Sequence, residues 1–320
     1  MSDRHDDEHP GRPEDQVRPA SESSGGGEAS PLPCDDRANE FPPPDGPLRS
    51  PALPPVDLNY APPTPDSGRY LPDAEWTAGQ IAAVFFAGLA AAFVAGGVAF
   101  GLGADADSGY VVFGVIFPAQ VLGTLVTAGS LSARRGTGNW ARDFGLRLRI
   151  GEIWGLGGGV GLQVLALIVT GIVLMALGGD TRPEQNVADV AEASVGGALV
   201  LAFVGTVLLA PLVEEVLYRG MLLSWLRRRM GRHGSVIVSA AIFAGVHLVD
   251  PGTLLLLPGL FVIGVGLGYA ALRSGGLSLP LYLHAGVNLT GFALTQFADE
   301  LQRWAEDLET SVKLVVSLVG

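Results

Sequence analysis

Two adjacent glutamates, an arginine, two histidines and an asparagine interrupt otherwise apolar stretches of this 320-residue chain. They fall in three short segments, Pro211-Leu-Val-Glu214-Glu215-Val-Leu-Tyr-Arg219-Gly, Phe243-Ala-Gly-Val-His247 and His284-Ala-Gly-Val-Asn288. On a helix, positions four apart share a face, whereas neighbours diverge by about 100°. Glu215 is therefore placed to pair with Arg219, and Glu214 to project elsewhere, towards a cavity. His284 and Asn288 project together. A free carboxylate, two imidazoles and a carboxamide are what activation of a water and stabilisation of an oxyanion require. The same groups could form an ion or proton relay in a transporter, because ionisable residues inside spanning helices mark both kinds of protein. Taken singly, each pair also fits a structural role: an ion-pair network for the first segment, interhelical hydrogen bonds for the others.

The elements that must carry these residues are apolar enough to span a bilayer. Hydrophobic types make up 48% of the chain and charged types 16%, with 45 glycines and a mean hydropathy of +0.37. Soluble proteins carry roughly 25% charged residues. Cys34 has no second cysteine to pair with, so disulfides are excluded as a framework. Residues 1–75 hold 16 of the 22 prolines, with 16 acidic and 6 basic residues, a net of −10 out of −12. Such a segment lacks the apolar content to offset its conformational entropy and reads as a disordered tail.

From Trp76 the text changes. A span takes about 20 residues at 1.5 Å each. Apolar runs cover 79–103, 110–132, 153–178, 196–222, 253–272 and 277–298, with a shorter one at 235–249. Alternating strand patterns are missing, and helices satisfy their backbone internally in lipid. The expected fold is an all-α, polytopic transmembrane helix bundle of about seven helices. It is divided into the tail at 1–75, a helical domain at 76–298 and a short amphipathic or interfacial segment at 299–320. Gly157-Gly158-Gly159 and Gly264-x-Gly266-x-Gly268 lie inside apolar helices, where they read as close-packing sites rather than nucleotide loops.

Arginines set the orientation. Arg134, Arg135, Arg142, Arg147 and Arg149 follow the second run, Arg227, Arg228, Arg229 and Arg232 follow the fourth, and Arg273 precedes the last. These loops are expected in the cytoplasm with the N-terminus, in a plasma (inner) membrane. Because topology explains the arginines, and no aromatic interleaving accompanies them, a nucleic-acid partner is not expected. The expected partners are the lipid bilayer and a protein or peptide substrate. Span boundaries alone place Glu214 near the inner side and His247 towards the outer, a separation that a kink at Pro211 or an incomplete 235–249 span would have to remove.

The three segments together resemble a known family, the CAAX protease and bacteriocin-processing (CPBP, or Abi) intramembrane proteases, relatives of the Ras-converting CAAX endopeptidase. Its members carry Glu-Glu-x-x-x-Arg, Phe-x-x-x-His and His-x-x-x-Asn on successive helices, and all three occur here in order. The resemblance covers roughly residues 196–292. It implies that Glu214, assisted by His247, acts as general base on a water that attacks a peptide carbonyl. His284 and Asn288 would stabilise the oxyanion, and Glu215 and Arg219 would hold the first motif in shape. The family's substrates include prenylated proteins. No cofactor is expected; were zinc to take part, Glu214, His247 and His284 would hold it, although His-Glu-x-x-His is missing. The serine motif of rhomboids and the aspartate motif of presenilins are also missing.

Overall fold

The computed structural model describes residues 72–105, 107–178 and 186–319, so most of the tail, 1–71, lies outside the described residues. The described part is helical throughout, without strands. Helix α1 (Ala78–Gly101) starts at Thr77, whose hydroxyl accepts from the Gln80 amide while the Gln80 side chain accepts from the Thr77 amide. This reciprocal cap satisfies two of the donors that a helix start leaves open. Helix α2 (Gly109–Arg135) runs back along α1. A short turn, α3 (Trp140–Asp143), leads to α4 (Gly155–Ala176) and the brief α5 (Asn186–Glu192).

Next comes one helical run of 53 residues, α6 (Gly197–Val249). It folds into two antiparallel arms at Met230–Gly231, where Gly231 takes φ 66°, a left-handed conformation open to glycine at no steric penalty. Helices α7 (Leu257–Ser274), α8 (Ser278–Gln296) and α9 (Ala298–Val319) complete the chain. All seven apolar runs are helical. Among the described residues, five helices are long and apolar enough to cross a membrane: α1, α2, the segment ending in α4, α6 and the segment ending in α7. The runs at 196–222 and 235–249 merge in α6, and α8 has 19 residues but includes His284, Asn288 and Gln296.

Small residues set the packing. Helices α4 and α8 cross at Gly159 and Gly286, where an added Cβ would overlap the Leu283 carbonyl and the Leu156 carbonyl respectively. In α7, Gly264 and Gly268 face Ala240 and Val236 on the second arm of α6, and Gly266 faces Leu162 of α4. Gly157 has open space around it. The glycine-rich text is thus a record of backbone approach at some positions and not at others. Large apolar side chains such as Phe93, Leu122, Ile172 and Val200 remain exposed along the helices, which is where acyl chains would cover them.

One end of the bundle gathers the arginines. Residues 72–76, at the end of the tail, pack there: Asp73 pairs with Arg142 at 2.7 Å, and Arg228 bonds the Pro72 carbonyl and Glu75. Arg149 reaches the Ser274 carbonyl, and the Leu277 amide donates to the Gly145 carbonyl. The fully buried Asp143 accepts from the Ser132 hydroxyl and from the Thr137 amide and hydroxyl. Burial acts to raise its pKa, but those hydrogen bonds outweigh it and hold the carboxyl below the usual aspartate range. Phe144 stacks on Trp76 and meets Trp140 edge-on, and its backbone lies against Gly220, directly after Arg219.

Candidate active site

The first arm of α6 is wound unusually. Val204–Leu209 and Glu215–Leu223 are π-helical, flanking the short α-helical stretch Ala210–Glu214 that contains Pro211. Pro211 cannot donate a backbone hydrogen bond, and π-helical turns lie on either side of the short stretch that contains it. Every residue from Glu215 to Leu223 is buried. Glu215 and Arg219 are 0% and 1% exposed and pair at 2.8 Å, as their four-residue spacing predicts. The guanidinium also bonds the Gly264 carbonyl and lies over the Phe243 ring, 4.6 Å from its centroid. These contacts compensate the desolvation of a charge that would otherwise be prohibitive in an apolar helix.

The two arms explain how Glu214 and His247 come together. Glu214 stands 16 residues before Met230 and His247 stands 16 residues after Gly231. Antiparallel arms of equal length bring them to the same level, about 24 Å from the turn at 1.5 Å per residue. The separation expected from span boundaries therefore does not arise, because the turn and not the edge of the apolar run sets the register. Both residues line one cavity of about 410 Å³, together with His284 and Asn288. Walls of α4, α5, α7, α8 and both arms of α6 surround it.

His284 sits between the two carboxylates. Its Nδ1 lies 2.8 Å from Glu215 Oε1, and its Nε2 lies 3.6 Å from Glu214 Oε2. Glu215 accepts the Nδ1 proton, which fixes the tautomer and leaves Nε2 to face Glu214. A neutral Nε2 and an ionised Glu214 would both be acceptors, so the pair is complementary when it holds one proton. Glu214 keeps 27% of its side chain accessible, within reach of water in the cavity, while Glu215 is sealed. The buried Glu215 Oε2 has no hydrogen-bond partner among the described residues. The adjacent glutamates are thus chemically different.

His247 is held by the same device. Its Nδ1 donates to the Phe243 carbonyl at 2.8 Å, so Nε2 carries the lone pair and can act as a base. Phe243 meets both imidazoles edge-on, at centroid distances of 5.1 Å to His247 and 5.9 Å to His284. Asn288 donates one N–H to the Thr206 carbonyl at 2.7 Å, which leaves one N–H and the side-chain carbonyl for another partner. The six residues singled out by type and spacing are therefore grouped around one cavity and its supporting ion pair. Sequence reasoning passed over Gln163 and Thr206, which also line it. Gln163 was visible as a lone amide in an apolar run; Thr206 contributes a backbone carbonyl, for which side-chain patterns carry no signal.

Glu214, His247 and His284 offer the donor types of a zinc site. Among the described residues, no group of three or more His, Cys, Asp or Glu side chains stands close enough to hold a metal ion. No step proposed below passes through a metal.

Comparison with known proteins matches the segment that carries most of these residues. Residues 196–290 match the family described as "Type II CAAX prenyl endopeptidase Rce1-like". A relative from Escherichia coli, named only as an uncharacterized 24.3 kDa protein, is 34% identical over 95 residues, which are 29% of this chain and 43% of that relative. The chain thus spans less than half the length of the curated relative it matches. No solved structure matches. Over residues 196–290, the stretch that carries Glu214, Glu215, Arg219, His247, His284 and Asn288, the chain is similar to the Rce1-like type II CAAX prenyl endopeptidases.

Proposed function

We propose that the protein is an intramembrane endopeptidase that hydrolyses peptide bonds of a membrane-associated substrate, such as a prenylated protein or peptide, by means of a water activated by Glu214 and His247. The observation that carries this reading is the convergence of Glu214, His247, His284 and Asn288 on one cavity, with His284 bridging the two glutamates. Glu214, or His247 through Nε2, takes a proton from the water as its oxygen bonds the substrate carbonyl carbon. The negative charge that develops on the carbonyl oxygen is met by the remaining Asn288 N–H and by the proton on His284 Nε2. Collapse of the adduct breaks the C–N bond, and the proton taken from water passes to the leaving amine. Water is thereby divided between the new carboxyl group and the new amine. The buried Glu215–Arg219 pair fixes the imidazole that faces Glu214.

The arginine-bearing end of the bundle is proposed to face the cytoplasm of a plasma membrane, in keeping with the charge bias of short loops. Cys34, the chain's one cysteine, provides a test, since it would be labelled from the cytoplasmic side and protected from an impermeant thiol reagent outside. For the activity, the membrane proteomes of cells carrying the intact protein and the Glu214→Gln variant are compared. New protein termini present with the intact protein and missing with the variant are expected. Identical termini, with ion or proton flux in proteoliposomes that depends on Glu214, would replace the hydrolase by a relay.

A further inference from the structure

Most of the cavity's polar side chains hold a partner within the protein, whereas the Gln163 carboxamide makes no hydrogen bond among the described residues. The Thr206 hydroxyl donates to the Ala202 carbonyl, and the Thr295 hydroxyl donates to the Gly291 carbonyl. Thr170 is buried against Gly259, where its hydroxyl oxygen would lie 2.6 Å from an added Cβ. His247, His284 and Asn288 each commit one nitrogen to the protein, as described above. Gln163 remains. It lines the same cavity from α4, on the face shared with Ala166, Leu167 and Thr170, and is half-buried. Its amide nitrogen is 3.9 Å from the position that a side chain at Gly291 would take, so the carboxamide lies beside the glycine one turn beyond Asn288. An amide inside a spanning helix is expensive unless it finds a partner.

From this we infer that Gln163 is a substrate-positioning residue that hydrogen-bonds a backbone peptide group of the bound chain, a deeper claim that rests on the hydrolase reading above. A carboxamide presents an acceptor beside a donor, the complement of the N–H and C=O of a peptide unit. Among apolar walls such as Leu167, Leu260 and Ile263, an extended peptide has few other groups to replace its lost hydration. Gln163 does not touch the reacting atoms in this scheme. It holds the chain so that the scissile carbonyl meets the water at Glu214, and its loss weakens binding rather than the chemical step.

The test uses the full-length protein in nanodiscs and a quenched-fluorescent prenylated CAAX peptide, with a parallel set of probes in which one amide at a time is replaced by an ester. An ester lacks the N–H. For Gln163→Leu, KM is expected to rise about tenfold with kcat within about threefold, and Gln163→Asn to recover part of the loss. One ester position should weaken binding to the wild-type protein about tenfold and have no effect on Gln163→Leu. Unchanged KM in Gln163→Leu, or esters that act equally on both proteins, would overturn the inference. Retained cleavage by Glu214→Gln would overturn the hydrolase reading instead, whatever Gln163 does. A wild-type protein that neither binds nor cleaves the probes would overturn both. A merely structural Gln163 would alter thermal stability without discriminating among the ester positions.

Discussion

The N-terminal pair α1 and α2 and the C-terminal group α6 to α8 are both built from apolar helices, but they solve different problems. No Asp, Glu, Lys, Arg or His lies within 78–104 or 108–133, and 22% of the most apolar window in each of these two helices is buried. Their contacts are close approaches of small residues, as at Gly88 against Thr124 and Gly123 against Ala91. In α6 and α7 the corresponding shares are 33% and 39%, and the buried surface surrounds Glu215, Arg219 and His284. Lipid tolerates the first pair almost anywhere on its exterior. Charge in the second group is stable only because protein encloses it.

This contrast predicts where substitutions act. The largest stability effect should come from Glu215→Ala, which leaves Arg219 buried without its carboxylate and frees His284. A loss of about 3–5 kcal/mol is expected, read as a lowered unfolding temperature in detergent, together with loss of cleavage. A variant as stable as wild type would show that the ion pair is not the keystone of the C-terminal group. Gly159→Ala comes next. The new methyl must push the Leu283 backbone away, at about 1–3 kcal/mol, whereas Gly157→Ala two residues earlier enters open space and should fall within about 0.5 kcal/mol of wild type. Equal effects at the two glycines would contradict the helix crossing described here.

Of similar size is the effect of Asp143→Asn at the arginine-bearing end, about 1–3 kcal/mol from hydrogen bonds that an amide cannot reproduce. Its pH dependence has a definite sign. A carboxyl held below its usual range contributes stability that is complete above the ordinary aspartate pKa and is lost as pH falls through the folded value. Acid melts of wild type and Asp143→Asn should therefore differ above that range and converge below it. A constant difference across the acid range would remove Asp143 as the source. Cleavage is expected to survive exhaustive chelation; loss of activity restored by added zinc would require a ligand geometry different from the one seen.

Much of the site was legible because four-residue spacing is local. Glu215 with Arg219 and the three motifs themselves needed only the pitch of a helix. The glycines of α7 were readable as packing positions for the same reason, although spacing alone could not separate Gly159, which touches a neighbouring backbone, from Gly157, which does not. Less legible were contacts that depend on long loops. His284 meets Glu215 across 69 positions, and Asn288 meets the Thr206 carbonyl across 82. The common level of Glu214 and His247 was hidden because Met230 and Gly231 sit in an arginine-rich stretch that reads as a loop of unknown length, whereas the chain reverses within those two non-helical residues. The tail's end at 72–75 looked polar, yet Ala74 packs into the core, as does Trp76 where the apolar text begins. Trp76 meets Asp143 and Phe144, about 70 residues away in sequence and beyond any local pattern.

The central claim is that Glu214 and His247 act as one unit on a single water. Its most direct test is single-turnover cleavage of one substrate by wild type, Glu214→Gln, His247→Ala and the double variant, each checked for folding. Each single change should lower the rate by about 10²–10⁴-fold, and the double variant should be about as slow as the slower single one. Two effects that multiply independently, or near-wild-type cleavage by either single variant, would contradict the account.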